Sequence, residues 1–168
     1  DRGLTPLGRE AVRRMQARGI LPDVSHTSDR SFWDILKLAE GPVVASHSNC
    51  RALCDVRRNL TDEQLRAIRD TGGVIGVNVY HGFVHAEPRM QTAAMLARHA
   101  AHIAETIGPE HVACGFDFCE YFGPGNEGCE GMENCAQTGN FFFELERLGF
   151  SAAERQGIAS ENLLRVLE

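Results

Sequence analysis

The chain has 168 residues, of which 43% are hydrophobic and 24% are charged, with 17 Lys and Arg against 23 Asp and Glu. This length and balance suit one globular domain with a real core, and they disfavour a disordered chain or a small disulfide-stapled scaffold. A net charge of −6 without a Lys/Arg cluster makes nucleic acid a poor candidate partner, and no uncharged apolar run reaches the length of about 18 residues that a membrane span needs.

The first half of the chain alternates helix signals with short apolar segments. Thr5-Pro6 predicts the start of a helix that ends at Gly19, because a capping hydroxyl followed by proline favours the first helical turn. A second helix is expected to start at Thr27 or Ser28. The apolar segments of this half that we predict to be strands are 20–24 and 42–45.

The second half repeats the pattern. The capping box Thr61-x-x-Gln64 opens a helix that Gly72-Gly73 ends, and a later helix that carries Met95 and Ile107 ends at Gly108-Pro109. The remaining predicted elements are the strands 74–79 and 111–115 and the closing helices 141–148 and 151–167.

Short strands that alternate with helices of about 10–15 residues indicate βαβ units and a parallel sheet. Four such units correspond either to half of an eight-stranded (β/α)8 barrel or to a small doubly wound sheet. The chain has no P-loop, and its one match to G-x-G-x-x-G, at 123–128, lies in the Gly-rich loop and not directly between a strand and a helix, which argues against a nucleotide-binding form of the second fold.

The six cysteines are too sparse for a secreted disulfide framework, and none of them has the Cys-x-x-Cys spacing of a zinc ribbon. We therefore expect reduced thiols in a cytoplasmic protein. The cysteines are Cys50, Cys54, Cys114, Cys119, Cys129 and Cys135.

Polar residues stand where the predicted strands end: His26, His47, Asn78 or Tyr80, and Asp117. Parallel α/β folds build their sites at the carboxyl ends of strands. Imidazole and carboxylate suit a borderline cation such as zinc, and adjacent strand ends can place such ligands in one coordination sphere. A single histidine at a strand end is more often structural, so the interpretation of His26, His47 and Asp117 as a metal constellation depends on their joint pattern.

Several segments of the chain are distinctive as sequences: 3–10, 24–28, 45–49, 54–62, 72–78 and 161–167. Together they resemble the middle of the membrane dipeptidases (renal dipeptidase, peptidase family M19), and the resemblance covers essentially the whole chain. It implies a zinc-dependent dipeptidase on a (β/α)8 barrel related to the amidohydrolases, with residues 1–168 as one unit that forms the C-terminal half of the barrel. The implied substrates are dipeptides, including those with a C-terminal D-residue. The implied reaction is hydrolysis of their peptide bond by a metal-activated hydroxide.

The resemblance also implies roles for individual residues. His26 and His47 match two histidines that bind one zinc of a binuclear pair. Arg58 matches the group that binds the substrate's terminal carboxylate, a task that suits a guanidinium fork. Asp117 matches an acid that contacts the metal-bound water, where a carboxylate can take up a proton and pass it to the leaving nitrogen. Tyr80 is a candidate for the wall of the substrate pocket.

Each of these roles has a structural alternative. Arg58 could form a surface ion pair beside Arg57, and Asp117 could cap the loop that follows its strand. Asn78 and Tyr80 could serve only to pack the strand that they end.

The chain departs from the family pattern in two places. Asp117-Phe118-Cys119-Glu120 stands where the family usually reads Asp-Phe-Asp-Gly, so the second acid is missing. The Gly-rich loop that follows, 120–139, is expected to act as a mobile lid. The family's first-strand His-x-Asp, its bridging Glu and a substrate-binding His would all lie upstream of Asp1, so the helix start at Thr5 is expected to be the tail of a preceding unit.

Two other functions stay open at this stage. A different amidohydrolase-type activity, such as that of a deaminase or lactonase, could use the same His, His and Asp, although the Arg-Arg-Asn-Leu-Thr stretch at 57–61 argues against it. A non-catalytic half-barrel would expose two unpaired strand edges, so we expect either a homo-oligomer or pairing with a missing N-terminal half.

Overall fold

The computed structural model describes residues 2–168. Within this range, the α-helices are α1 (Pro6–Gln16), α2 (Asp29–Leu36), α3 (Asp62–Asp70), α4 (His81–Val84), α5 (Ala93–Ile107), α6 (Thr138–Arg147), α7 (Ala152–Gln156) and α8 (Asn162–Leu167). The strands are β1 (Ile75–Val77) and β2 (Val112–Cys114). No helix among these residues is long and apolar enough to cross a bilayer.

The sheet is small and parallel. Strands β1 and β2 pair with Ile75 opposite Val112, and two isolated parallel bridges, Asp23 with Val44 and Ala45 with Ile75, extend the arrangement. Four extended segments therefore lie side by side in the order in which they occur along the chain. The architecture is a mixed α/β fold built on a parallel sheet, as the alternation of strands and helices predicts.

The first two predicted strands are shorter than expected. Segments 20–24 and 42–45 form single bridges rather than regular strands. Pro22 and Pro42 have no N–H to donate to a ladder, and the chain turns immediately after Val24 and after Ala45. Each segment therefore ends at the edge of the sheet, and its histidine lies in the turn that follows.

Glycines allow the central segments to approach closely. A Cβ atom on Gly115 would lie 1.7 Å from the carbonyl oxygen of Ser46, and one on Gly76 would lie 2.2 Å from the same oxygen. Only residues without a side chain can stand there. The turn that carries His47 is thereby packed directly against β1 and against the residue that follows β2.

The helix starts agree with their capping signals. Thr5 and Ser28 accept hydrogen bonds from the first turns of α1 and α2, and the predicted capping boxes at Thr61 and Ser151 are formed. The predicted helix 151–167 is interrupted by a π-helical turn over Gly157–Glu161. The short helix α4 has no counterpart in the sequence prediction, which placed a strand up to residue 79 and assigned no element between it and the helix that carries Met95.

His99 ties helix α5 to the segment that follows His47. Its side chain is fully buried, Nδ1 accepts a hydrogen bond from the Cys50 N–H at 3.0 Å, and Nε2 lies 2.8 Å from the Val84 carbonyl oxygen. Burial lowers the pKa of His99 to about 4, against a smaller opposing effect of the Val84 bond. The ring is therefore neutral, with its proton on Nε2.

The glycine-rich loop is partly built into the core. Cys129 and Met132 are buried, Gly128 pairs with Tyr80, and the Cys129 N–H donates to the Val79 carbonyl oxygen at 2.8 Å. These bonds anchor the segment 120–139, which is expected to act as a lid, from residue 128 onwards. Residues 120–127 precede the anchored part and lie beside the cavity described below.

Candidate metal and substrate site

Four of the predicted site residues meet at the carboxyl end of the parallel segments. The ring centroids of His26 and His47 are 4.9 Å apart, and His47 Nε2 lies 3.9 Å from Asp117 Oδ2. Arg58 Nη2 donates to the His47 carbonyl oxygen at 3.5 Å. The structure thus brings two imidazoles, a carboxylate and a guanidinium together. The imidazoles and the carboxylate follow three different extended segments of the sheet, and the guanidinium of Arg58 comes from the loop after the second of these segments.

Two of these residues have a left-handed backbone. His26 has φ of 68° and Asp117 has φ of 59°, and no other non-glycine residue in the described part of the chain has a positive φ. Such a conformation costs a non-glycine residue about 1 kcal/mol or more and is found preferentially at functional sites. Both strained positions directly follow an extended segment, where the sharp turn directs the side chain to the end of the sheet.

His47 is held in one orientation. The Ser46 hydroxyl oxygen lies 2.6 Å from His47 Nδ1, and the His47 N–H donates to Ser25 Oγ at 2.9 Å. Burial lowers the pKa of His47, with the charge of Asp117 opposing this effect and that of Arg58 adding to it. A neutral imidazole with Nδ1 engaged and with Nε2 left beside Asp117 is the form that binds a metal ion.

Asp117 is oriented by Asn78. The Asn78 side-chain amide donates to Asp117 Oδ2 at 3.2 Å, while Asn78 itself is fully buried and exchanges two 2.9 Å hydrogen bonds with Asn49. Asn78 therefore both packs the end of its strand and orients the carboxylate of Asp117. This pair of asparagines was not identified from the sequence, because nothing local indicates that Asn49 and Asn78 face each other.

Arg58 is half-buried and forms no ion pair within residues 2–168, so the surface ion pair considered as its alternative is absent there. Its guanidinium carbon lies 5.1 Å from the centroid of the Phe83 ring. Burial lowers the pKa of Arg58, and the charges of Asp117 and Asp23 oppose this. A cation that is stacked on an aromatic ring and lacks a carboxylate partner is available to bind an anionic group.

Side-chain hydrogen bonds fix the loop that carries Arg58. The Asn59 amide donates at 2.9 Å to the carbonyl oxygens of both Cys54 and Phe83, and Arg51 forms a two-pronged contact with Asp29 at 2.9 and 3.0 Å. The arginine therefore stands on a rigid support.

A cavity of about 280 Å³ opens beside these groups, with walls that are mainly apolar or aromatic. Tyr80 contributes to the wall, and its ring contacts that of Phe83 with 4.8 Å between the centroids. The lining residues are His26, Arg58, Val79, Tyr80, Phe83, Asp117, Cys119, Phe122, Asn126, Glu127 and Gly128. A compact ligand with one anionic end fits a cavity of this size and character.

The residue types at the site fit a borderline cation such as zinc, for which imidazole and carboxylate are ordinary ligands. Within residues 2–168 no three His, Cys, Asp or Glu side chains are arranged to hold a metal ion by themselves. The predicted constellation of His26, His47 and Asp117 is therefore not a closed metal site. The rings of His26 and His47 are neighbours, with 4.9 Å between their centroids, and Asp117 stands beside His47.

Comparison with known proteins finds one family whose model matches the whole chain. Residues 1–168 match the family model described as membrane dipeptidase (peptidase family M19). An uncharacterized dipeptidase of Schizosaccharomyces pombe is 32% identical over 171 residues, covering 99% of this chain and 40% of that protein.

Two solved structures are similar over the whole chain. The dipeptidase AC, a metallo peptidase of family M19, superposes with a TM-score of 0.90 at 30% identity, covering 100% of this chain and 49% of that one. A metallo peptidase from Rhodobacter sphaeroides, solved with a phosphinate mimic of the dipeptide L-Ala-D-Ala, gives a TM-score of 0.89 at 29% identity, covering 99% and 47%. The chain thus spans about half the length of the relatives that it matches.

Proposed function

Because the chain belongs to the membrane dipeptidase family, peptidase family M19, we propose that it provides the C-terminal half of a (β/α)8 barrel and half of the active site of a zinc-dependent dipeptidase. Four parallel segments in chain order, separated by helices, support the half-barrel. The observation that carries the proposed activity is the convergence of His26, Arg58 and Asp117 in the wall of one cavity, with His47 next to His26 and Asp117.

His26 and His47 would hold one zinc ion of a binuclear pair, and the other ligands would come from residues outside this chain. When bound, such a pair lowers the pKa of a water molecule and polarises the scissile carbonyl group. The protein's own contribution is the spacing of the two rings at 4.9 Å between centroids and the neutral state that burial favours for His47.

Arg58 binds the free carboxylate at the C-terminal end of the dipeptide. Its guanidinium can donate two parallel hydrogen bonds to a planar carboxylate, and half-burial strengthens that interaction because water screens it less. Phe83 fixes the plane of the guanidinium, and Asn59 fixes the loop. Substrate length is thereby set, since a longer peptide would place its carboxylate beyond the reach of Arg58.

Asp117 handles protons beside His47, with Oδ2 at 3.9 Å from His47 Nε2. With Oδ2 held by Asn78, the carboxylate is oriented to accept a proton from the attacking water and to deliver it to the leaving nitrogen. The cavity beside it is bounded by Tyr80 and Phe122. The relative solved with a mimic of L-Ala-D-Ala supports the inclusion of dipeptides that end in a D-residue.

The test compares Arg58→Gln with Arg57→Gln in the full-length protein loaded with zinc. The substrates are L-Ala-D-Ala and its C-terminal amide, which lacks the carboxylate. We expect Arg58→Gln to raise KM for the free dipeptide about 30-fold or more, the equivalent of a lost charged hydrogen-bond pair, and to leave the poor hydrolysis of the amide unchanged.

Arg57 is exposed and supplies the matched control, so Arg57→Gln should behave as the wild type. An Arg58→Gln enzyme that still prefers the free dipeptide over the amide would refute the role of Arg58. No turnover of either substrate by the zinc-loaded wild type would refute the proposed activity.

A further inference from the structure

A carboxylate outside the predicted set lies behind His47. Asp23 stands at the end of the first extended segment, and its Oδ1 accepts hydrogen bonds from the N–H groups of Ser25 at 2.9 Å and Ser46 at 3.0 Å. Its Oδ2 accepts a third bond, from the Ser46 hydroxyl, at 2.5 Å. An ionised carboxylate has only acceptor positions, so all three protons in these bonds belong to its partners.

The proton count then fixes the state of His47. The Ser46 hydroxyl has one hydrogen, and Asp23 receives it. The same oxygen lies 2.6 Å from His47 Nδ1, so at this contact it can only accept, and Nδ1 must carry a hydrogen. In a neutral imidazole the other nitrogen, Nε2, is then an unprotonated lone-pair donor. This is the nitrogen that lies 3.9 Å from Asp117 Oδ2 in the site.

We propose that Asp23 and Ser46 are positioning residues that select the Nδ1–H tautomer of His47 and thereby direct the lone pair of Nε2 into the site. The use of that lone pair as a metal ligand rests on the proposed function, but the tautomer itself does not. Asp23 also connects the segment that leads to His26 with the turn that carries His47, so the same bonds set the two rings relative to each other.

The experiment measures the ring ¹⁵N shifts of the histidines in the metal-free protein, at a pH where the rings are neutral. We expect His47 of the wild type to show a protonated Nδ1. In Asp23→Asn, the amide oxygen can keep the two backbone N–H bonds while the amide nitrogen donates to Ser46. The serine hydroxyl must then donate to His47 Nδ1, so the tautomer should reverse to Nε2–H.

Ser46→Ala should leave a mixture of tautomers, and Ser46→Thr should restore the wild-type state because it keeps the hydroxyl. Ser48→Ala is the matched control, since the Ser48 hydroxyl bonds to Ser25 Oγ at 3.1 Å, whereas the His47 ring bonds to Ser46. His99 is an internal reference for folding, because both of its nitrogens are hydrogen-bonded and its Nε2–H tautomer should persist in every variant.

A second readout is zinc affinity, measured by competition with a chelator. Asp23→Asn and Ser46→Ala should bind zinc about 10- to 100-fold more weakly than the wild type and than Ser48→Ala. A wild-type His47 with its proton on Nε2, or an unchanged tautomer in Asp23→Asn with His99 intact, would overturn the proposal. The expected tautomers without any zinc effect would leave the positioning intact and count against the metal-binding role of His47.

Discussion

His99 makes the stability of the protein depend on pH in a way that can be calculated from its environment. Burial lowers its pKa to about 4 in the folded state, whereas an unfolded histidine has a pKa of about 6.5. Between these values the unfolded chain binds a proton that the folded chain rejects, so the free energy of unfolding falls as the pH falls. The stability is fully present above pH 6.5 and is lost progressively towards pH 4. At pH 5 the loss due to His99 is about 2 kcal/mol.

The assay is urea unfolding of the wild type, His99→Asn and His102→Asn at pH 7 and pH 5. His99→Asn is less stable than the wild type at pH 7 because it loses buried contacts, but its additional loss between the two pH values should be smaller by about 2 kcal/mol. His102 lies on the same helix, is partly exposed and contacts Asp62 at 2.7 Å, so His102→Asn should retain the loss due to His99. Equal pH dependence in the wild type and His99→Asn would refute the reasoning.

Three further outcomes follow from contacts in the structure. Gly115→Ala should lower the free energy of unfolding by about 3 kcal/mol, because the added Cβ would overlap the Ser46 carbonyl oxygen. Gly139→Ala is the control, because a Cβ at that position has no neighbour within 4 Å. It should be neutral or slightly stabilising in the same urea titration. Asn162→Ala should cost about 2 kcal/mol by the same measurement, since its amide donates to two backbone carbonyls at 2.9 and 2.7 Å, and an unchanged midpoint would contradict this. Asp117→Asn in the full-length enzyme should lower kcat for L-Ala-D-Ala about 100-fold or more with little change in KM, and full activity would exclude Asp117 from proton transfer.

The helix starts could be predicted from the sequence because capping is local. Thr61 and Gln64 are three residues apart, and their reciprocal bonds depend on nothing else in the protein. The positions of His26 and His47 at strand ends could likewise be predicted, because a short apolar run followed by a polar residue marks the end of a buried strand. Their proximity follows once the segments are parallel.

Other features depend on contacts between distant residues and left no local signal. The π-helical turn directly precedes Asn162, whose side-chain amide donates to the carbonyl oxygens of Pro109 and Val112, about 50 residues earlier in the chain. The bond between Asp23 and Ser46 is equally invisible in the sequence, since an aspartate in a strand and a serine before a histidine are both unremarkable alone. The left-handed backbone of Asp117 could not be predicted either, because aspartate adopts that conformation only when the surrounding turn requires it.

The pairing of each extended segment with the next one along the chain bears on the order in which the site is built during synthesis. A nascent chain that has emerged as far as α4 already contains the segments of both histidines and β1, so the bridge between Asp23 and Val44 and that between Ala45 and Ile75 can form. Asp117 arrives only with β2, after the whole of α5. The two imidazoles can thus be placed together on the ribosome before Asp117 is synthesised. Under the proposed function, the two histidines proposed to hold the metal would be assembled before the carboxylate proposed to transfer protons.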